Sequence, residues 1–326
     1  MRSKRSSFFV LGFLLIIPLT AALVLGQRDR EDRRRQDTSP IDLPGGSRVE
    51  FLEMDSKALK GSGQFSVFFP PSYQNGQAKY PVVYFLHGMF NDHTSWTVSR
   101  YGNLPEQIEQ LMILKKLPEM LLVHPNGGRS FYTNYKDGSL NYEDFVVNEV
   151  PAFIESNYRA EKGRDSRALV GTSMGGYGAL KIALKYPDRY AAAAAHSPII
   201  FPIRNPFDVP PEVKSSRRYL FFSEIFSSVY GDPLDQAYYD ANNPLELAKN
   251  ASANLPLYFD YGTADRYNGL VHLDQGLKKL DQTLTEKGVR HIFLEHPGEP
   301  HGWALVVAHI GESLGFVSTG FLSWVQ

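Results

Sequence analysis

Two kinds of apolar pattern alternate along most of the chain. Short continuous apolar runs are typical of strands whose two faces are both covered, and they lie at residues 81–86, 120–123, 168–170, 255–261 and 291–295. Between them, apolar residues recur three or four positions apart, which predicts helices with one buried face, at residues 104–114, 142–154, 174–185 and 270–287. This alternation predicts an α/β fold in which helices flank a mostly parallel central sheet.

Residues 199–249 interrupt the alternation. The segment is rich in proline and aromatic residues and follows a weak predicted strand, residues 190–195, which is assigned from its position. Because open α/β sheets bind ligands at the carboxyl ends of their strands, we interpret the segment as an insertion that covers this edge and shapes a pocket. A folded excursion with a small core of its own is the alternative interpretation.

The first 26 residues have the pattern of a secretory signal peptide. Basic residues precede an apolar run at residues 8–25, and small residues suited to cleavage stand at its end. An uncleaved membrane anchor is the alternative, because the run approaches the length that spans a bilayer. Pro18 in the second half of the run favours the signal peptide. Both interpretations place the folded part outside the cytoplasm, as a secreted or periplasmic protein.

Charge and composition narrow the possible partners and chemistry. Residues 27–46 contain a mixed charge run and read as a flexible linker, which leaves residues 47–326 as one large domain. The formal net charge of the 326 residues is −1, so we expect no nucleic-acid partner. The chain has no cysteine, which excludes disulfides, thiolate metal sites and cysteine nucleophiles. The oligomeric state stays open.

The predicted strand at residues 168–170 runs into a glycine-rich turn that carries one serine. Gly171, Ser173 and Gly175 match the pattern G-x-S-x-G, in which a strand turns sharply into a helix and exposes the serine hydroxyl. A Cβ at either glycine would crowd the serine backbone, so both positions require glycine. With a strand before it and a helix after it, the motif predicts that Ser173 is a nucleophile rather than part of a structural turn.

A nucleophilic serine needs a base, and the base needs an acid that orients it. His301 follows the last predicted strand, which suits the chain order serine, acid, histidine. His296 is the main rival, and His196 could line the site, although a packed, hydrogen-bonded role fits both better. For the acid, Asp265 stands in the loop after the strand at residues 255–261. Asp260 is the alternative, closer to the strand end.

A developing oxyanion needs backbone donors. The amide of Met174 begins the helix after the serine, and the amide of Met89 follows Gly88 in the loop after the third strand, where the second donor is expected. We expect His87, Gly88 and Trp303 to border the bound substrate, with His87 acting as a structural brace rather than a catalyst. No H-E-x-x-H spacing occurs, so we expect no metal site.

Several segments, taken in order, resemble the "Putative esterase" family of α/β-hydrolases. This group includes esterase D (S-formylglutathione hydrolase), feruloyl and acetylxylan esterases, and the antigen 85 mycolyltransferases. The similar segments are YPVVYFLHG, YEDFVVNEVPAFIESNY, GTSMGGYGAL, NNPLELA, DYGTAD and HGW, and they span most of the chain after residue 49. The resemblance implies an α/β-hydrolase fold without metal or organic cofactor. It also implies Ser173, Asp265 and His301 as the triad, with Met89 and Met174 as the oxyanion donors.

The expected function is that of an exported serine carboxylesterase that forms an acyl-enzyme and releases it with water. The aromatic insertion favours an apolar acyl or phenolic group, such as a feruloyl or short-chain acyl ester of a sugar. An acyltransferase of the antigen 85 type would use the same triad, and the sequence does not separate water from alcohol as the acceptor. A catalytically silent hydrolase fold that only binds ligands is a further alternative, which the intact triad disfavours.

Overall fold

The structure is a computed structural model that describes residues 38–98, 102–209 and 211–321, except for the side chains of residues 212 and 218. The predicted signal peptide or anchor and residues 27–37 of the predicted linker lie outside these ranges. Within them, no helix is both long enough and apolar enough to cross a membrane. The described residues from Ser39 onward form one compact unit.

The end of the predicted linker packs against the folded part of the chain. Ile41–Asp42 is a short strand that pairs with the next one, and Leu43 is buried. The buried carboxylate of Glu109 accepts hydrogen bonds from the amides of Gly45 (2.9 Å) and Ser47 (2.8 Å). The folded part therefore begins before residue 47, because these backbone donors find a buried acceptor on a distant helix.

The described strands form one sheet in the order β1-β2-β3-β5-β4-β6-β7-β8-β9. Their bounds are β1 Ile41–Asp42, β2 Arg48–Ser56, β3 Gly61–Phe69, β4 Val82–Leu86, β5 Leu121–Pro125, β6 Arg167–Thr172, β7 Ala192–His196, β8 Leu257–Gly262 and β9 His291–His296. Pairing from β5 to β9 is parallel, and the first three strands join antiparallel at one edge. The mostly parallel sheet confirms the predicted fold class.

The central strands alternate their side chains between two cores. In β4, Tyr84 and Leu86 belong to one buried cluster, whereas Val83 and Phe85 belong to the other. Both faces of the sheet are therefore covered, which explains why this strand reads as an unbroken apolar run. The weak strand β7 consists almost entirely of alanine, and its small side chains are buried on both faces as well.

Helices cover the two faces of the sheet. They are α1 Leu104–Ile113; α2, which comprises Tyr142–Asp144, the π-helical turn Phe145–Glu149 and Val150–Asn157; α3 Met174–Lys185; α4 Pro211–Lys214; α5 Arg217–Tyr230; α6 Gln236–Asp240; α7 Pro244–Ala248; α8 Asn268–Val271; α9 Leu273–Glu286; and α10 Trp303–Ser318. Buried residues of α1 and α10 pack on one face, and those of α2, α3 and α9 pack on the other.

The predicted insertion contains α4 to α7 and lies between β7 and β8. Its buried rings belong to the main core rather than to a separate one, since Phe226 packs 4.8 Å from Phe131 and Tyr230 reaches Tyr177 of α3 through a 3.2 Å hydroxyl contact. The insertion also reaches the carboxyl edge of the sheet, where Phe222 borders the same cavity as Ser173. It therefore covers the site without forming a core of its own.

Candidate active site

Ser173 occupies the turn between β6 and α3 in a conformation that L-residues rarely adopt. Its φ is 57° and its ψ is −117°, a strained combination for a residue with a Cβ. A Cβ at Gly171 would lie 2.1 Å from the carbonyl oxygen of Gly175, and one at Gly175 would lie 1.9 Å from the carbonyl oxygen of Leu86. Both positions therefore require glycine, as predicted, but the clashing backbone atoms belong to Gly175 and Leu86 rather than to the serine.

Three side chains from distant parts of the chain meet at this turn. The hydroxyl of Ser173 lies 2.9 Å from Nε2 of His301. On the far side of the imidazole, Nδ1 donates to Oδ2 of Asp265 over 2.6 Å. Because the carboxylate accepts the hydrogen bond from Nδ1–H, the ring hydrogen stays on Nδ1. The lone pair of Nε2 is then directed at the serine hydroxyl, as a general base requires. The structure thus brings together the three residues that the sequence singles out.

The carboxylate of Asp265 is buried and held from both sides. Its second oxygen accepts the backbone amide of Tyr267 over 2.9 Å, and the ring of Tyr267 packs edge-on against His301 with centroids 4.5 Å apart. The loops that carry the acid and the histidine are also joined, since the amide of Ala264 donates to the carbonyl of Glu299 over 3.0 Å. Acid and histidine are therefore positioned before substrate binds.

A cavity of about 670 Å³ opens beside the serine hydroxyl. The expected oxyanion donors Met89 and Met174 both border it, as do Gly88 and Trp303. Among the described residues, neither methionine amide has an acceptor within hydrogen-bonding distance. The amide of Met174 also begins α3, where the helix dipole favours negative charge. Two residues that border the cavity therefore keep unengaged amides, as the predicted oxyanion role requires.

His87 does not line this cavity, in contrast to its expected place beside the substrate. The ring is fully buried, and burial lowers its pKa to about 4, so it is neutral at physiological pH. Its Nδ1 donates to the carbonyl of Gly88 (2.8 Å), and its Nε2 accepts the amide of Gly127 (2.9 Å). His87 therefore braces the loop that presents Met89, which agrees with the structural role weighed from the sequence.

A buried ion pair between α2 and α3 is linked by hydrogen bonds to the loop that contains His87. The ammonium of Lys181 on α3 is fully buried and lies 2.5 Å from the carboxylate of Glu143 on α2, and it also donates to the carbonyl of Tyr132. The hydroxyl of Tyr132 in turn donates to the carbonyl of His87 (3.1 Å). Burial lowers the pKa of Lys181 to about 8. Burial opposes ionisation of Glu143, but Lys181 and Lys185 lower its pKa to about 2.

The rival acid and histidines form a separate buried network. Asp260 is fully buried and contacts Nδ1 of His196 (2.9 Å), Nε2 of His296 (3.3 Å) and the hydroxyl of Tyr258 (3.0 Å). Burial opposes ionisation of Asp260, but its contacts with His196, His296 and Tyr258 hold the pKa of the carboxyl well below its ordinary value. Nε2 of His196 meets Ser313 rather than Ser173. These groups therefore join β7, β8 and α10 and do not reach the nucleophile.

Within the described part of the chain, one group of three side chains could hold a metal ion. The ligand atoms of His296, Glu299 and His309 lie within 4.8 Å of one another. The two imidazoles stack with centroids 3.6 Å apart, and Nε2 of His309 already has Glu299 as a partner at 3.0 Å. Stacked rings project their nitrogens side by side rather than toward one point, so this arrangement is suboptimal for a tetrahedral ion.

Several residues of the cavity wall were not singled out from the sequence, and four of them matter most for its chemistry. Ile199, Phe222, Arg266 and Tyr267 all border it. Arg266 and Tyr267 directly follow Asp265, so their position next to the acid is the one signal that could have identified them. Ile199 and Phe222 belong to the insertion, whose aromatic content predicts a pocket wall but not which residue forms it.

Chain order and geometry together define the class of this protein. The α/β-hydrolases have their triad in a fixed chain order. The serine follows one strand, the acid follows a later strand, and the histidine follows the last strand, as in this chain. The contacts of Ser173 with His301 and of His301 with Asp265 are those of a serine hydrolase with this fold. A family model described as "Putative esterase" matches residues 56–303, and the chain belongs to this family.

Relatives and solved structures agree with this membership. Over 262 residues the chain is 30% identical to Esterase MT1326 and to Esterase Rv1288, from two strains of Mycobacterium tuberculosis. The match covers 77% of this chain and 55% of those proteins, so the chain spans about half their length. A solved ferulic acid esterase is 25% identical, with a TM-score of 0.67 over 84% of this chain and 98% of its own.

A further solved structure shares the fold at lower identity. MPT51 of Mycobacterium tuberculosis is 18% identical, with a TM-score of 0.62 over 84% of this chain and 98% of its own. At this level of identity the likeness concerns the arrangement of strands and helices alone. It agrees with the α/β-hydrolase architecture described above.

Proposed function

We propose that the protein is a serine carboxylesterase, and the observation that carries the proposal is the continuous contact from Ser173 through His301 to Asp265. Oγ of Ser173 attacks the ester carbonyl carbon while its proton moves to Nε2 of His301. The carbonyl π electrons move to oxygen, and the amides of Met89 and Met174 stabilise the resulting oxyanion. Asp265 holds the tautomer and stabilises the imidazolium.

The tetrahedral intermediate then collapses to an acyl-enzyme. The bond from carbon to the alcohol oxygen breaks, and the alcohol leaves with the proton that His301 received. Water next attacks the acyl carbon, His301 accepts a proton from that water, and Ser173 takes the proton back as the acid product leaves. The first and the last proton transfers follow the 2.9 Å contact between the Ser173 hydroxyl and the His301 imidazole, whereas the other two join the imidazole to the alcohol and to the water.

Hydrolysis of p-nitrophenyl butyrate tests this proposal. Ser173→Ala should reduce kcat by about 10⁴-fold or more, because the nucleophile and its base act as a unit. Ser228→Ala is the matched control, since this exposed serine lies on α5 and, among the described residues, its hydroxyl donates to the backbone carbonyl of Glu224 (2.9 Å) and to no other group. A wild-type protein that hydrolyses no ester, or a Ser173→Ala variant that keeps its activity, would contradict the proposal.

For the substrate, we propose an ester with an apolar or phenolic acyl group, such as a feruloyl or short-chain acyl ester of a sugar. The apolar wall formed by Ile199, Phe222, Tyr267 and Trp303 supports this, as does the similarity to a ferulic acid esterase. Comparison of kcat/KM for methyl ferulate and p-nitrophenyl acetate checks it. A strong preference for the acetate would count against a phenolic pocket.

Water is the proposed acceptor, and product analysis with added sugar distinguishes hydrolysis from acyl transfer. Formation of a new sugar ester in place of free acid would assign the protein to the acyltransferases. We further propose that the protein is exported, on the basis of residues 1–26 of the sequence. Cell fractionation and sequencing of the mature N-terminus test export and cleavage separately.

A further inference from the structure

A second cavity, of about 300 Å³, adjoins the one that contains Ser173. Phe90, Phe222, Arg266 and Tyr267 line both cavities, so the two share a wall. The second cavity is completed by residues of the insertion and of α8, which are Arg217, Phe221 and Leu270. It is therefore placed to receive the part of a substrate that extends away from the reacting carbonyl.

Aromatic rings connect the catalytic histidine to this second cavity. Tyr267 packs on His301 with centroids 4.5 Å apart, and Phe222 packs edge-on to Tyr267 at 6.1 Å. Phe222 in turn contacts Phe221 at 6.1 Å, and Phe221 stacks on Phe90 at 5.5 Å with the ring planes 20° apart. Phe90 is 59% exposed, so its ring forms an apolar wall open to solvent. An apolar chain or ring can follow this path from the serine.

The cavity also carries positive charge that has no close carboxylate partner among the described residues. Arg217 and Arg266 line it, and Arg129 lies over the ring of Phe221, 5.5 Å from its centroid. Among the described carboxylates, none lies within 4.0 Å of these three guanidinium groups. Arg48 and Arg167, by contrast, both have carboxylate partners. Guanidinium groups beside aromatic rings bind carboxylates and other oxyanions well.

We propose that this second cavity is an anion subsite, formed by Arg217 and Arg266 with Arg129 at its edge. It selects esters whose acyl or alcohol half carries an apolar segment that ends in a carboxylate or another oxyanion. This inference rests on the proposed esterase function and adds a charge preference, which the apolar wall alone would not give. The apolar segment follows the aromatic wall, and the anion meets the unpaired guanidinium groups.

Matched pairs of esters that differ only in charge test the subsite. For an anion in the acyl half, the mono-p-nitrophenyl esters of the diacids from succinate to suberate are compared with the corresponding methyl p-nitrophenyl diesters, in which the free carboxylate is methylated. For an anion in the alcohol half, 4-(butyryloxy)benzoate is compared with its methyl ester. The wild type should prefer the charged member of at least one pair by about tenfold in kcat/KM at low salt. The preference should decline as NaCl is raised, because salt screens exposed charges.

The double variant Arg217→Gln/Arg266→Gln should reduce the ratio between charged and neutral substrate to about one. Arg290→Gln is the control, because Arg290 is exposed but borders a different cavity. This control should keep the wild-type ratio. An equal ratio in wild type and double variant would overturn the anion subsite, while Ser173-dependent hydrolysis of the neutral esters would leave the esterase proposal intact.

A binding measurement makes the test independent of turnover. The aromatic anion 8-anilinonaphthalene-1-sulfonate is compared by fluorescence titration with N-phenyl-1-naphthylamine, which has the same rings without the sulfonate. The wild type should bind the sulfonate more tightly, and the double variant should lose this difference while Arg290→Gln keeps it. Equal binding of the two probes, or an unchanged difference in the double variant, would refute the subsite even for a protein without esterase activity.

Discussion

The substitution Asp265→Asn tests whether the carboxylate of Asp265 orients His301 or only packs against it. In the native site, one oxygen of Asp265 accepts the amide of Tyr267 (2.9 Å) and the other accepts Nδ1 of His301 (2.6 Å). An asparagine of the same shape has one oxygen and one NH₂ group. Because the Tyr267 amide can only donate, it holds the asparagine oxygen and turns the NH₂ toward His301.

The substituted histidine then has the wrong tautomer. Nδ1 of His301 must accept from the NH₂ group, so the ring hydrogen moves to Nε2, which can no longer take the proton of Ser173. A triad with the wrong tautomer loses about 10⁴-fold in kcat, which corresponds to about 5 kcal/mol of transition-state stabilisation. The fold should be unaffected, since the side chain keeps its size and both hydrogen bonds, the one to His301 with its direction reversed.

The assay is kcat for p-nitrophenyl butyrate, with thermal unfolding measured alongside. Asp281→Asn is the matched control, because Asp281 also pairs with a histidine, Nε2 of His291 at 2.9 Å, but lies on α9 outside the cavity. The control should keep wild-type activity. A folded Asp265→Asn variant that loses less than about tenfold in kcat would refute the orienting role.

Further predictions concern the elbow and the buried ion pair. Gly175→Ala should cost about 3 kcal/mol of unfolding free energy by urea titration, because its Cβ would lie 1.9 Å from a backbone oxygen. Gly269→Ala, with nothing within 4 Å, should be near neutral. The pKa of Glu143 is lowered to about 2 in the fold. Its contribution of about 3 kcal/mol is therefore present above pH 5 and lost as pH falls toward 2. Glu143→Gln should flatten this pH dependence relative to wild type, and an unchanged slope would contradict the assignment.

The sequence predicts the fold class and the main elements because their signals are local. An apolar run at β4 or a three-to-four periodicity in α2 reports directly which faces are buried, and the glycines around Ser173 report a turn that only they permit. The three chemical side chains also follow from order along the chain, since loops after parallel strands share one edge of the sheet. These features need no knowledge of which side chains touch.

The remaining features depend on contacts between distant segments. A histidine at position 87 could face the substrate or stabilise a loop, and the sequence is the same in both cases. Only the hydrogen bonds of its ring to Gly88 and Gly127 show that it stabilises the loop. Likewise, the ordering of residues 41–47 depends on Glu109, which is more than 60 positions away. Arg217 and Arg266 read as ordinary surface charges until the fold places them on one cavity.

The central claim is that Ser173 is the activated nucleophile, and covalent labelling tests it most directly. A fluorophosphonate reacts with a serine only where a base removes the hydroxyl proton and donors stabilise the phosphonyl oxygen. Mass spectrometry of the digested wild type should locate one adduct, on Ser173, while Ser173→Ala stays unlabelled and His301→Ala labels far more slowly. Labelling at another serine, or equal labelling of His301→Ala and wild type, would contradict the account.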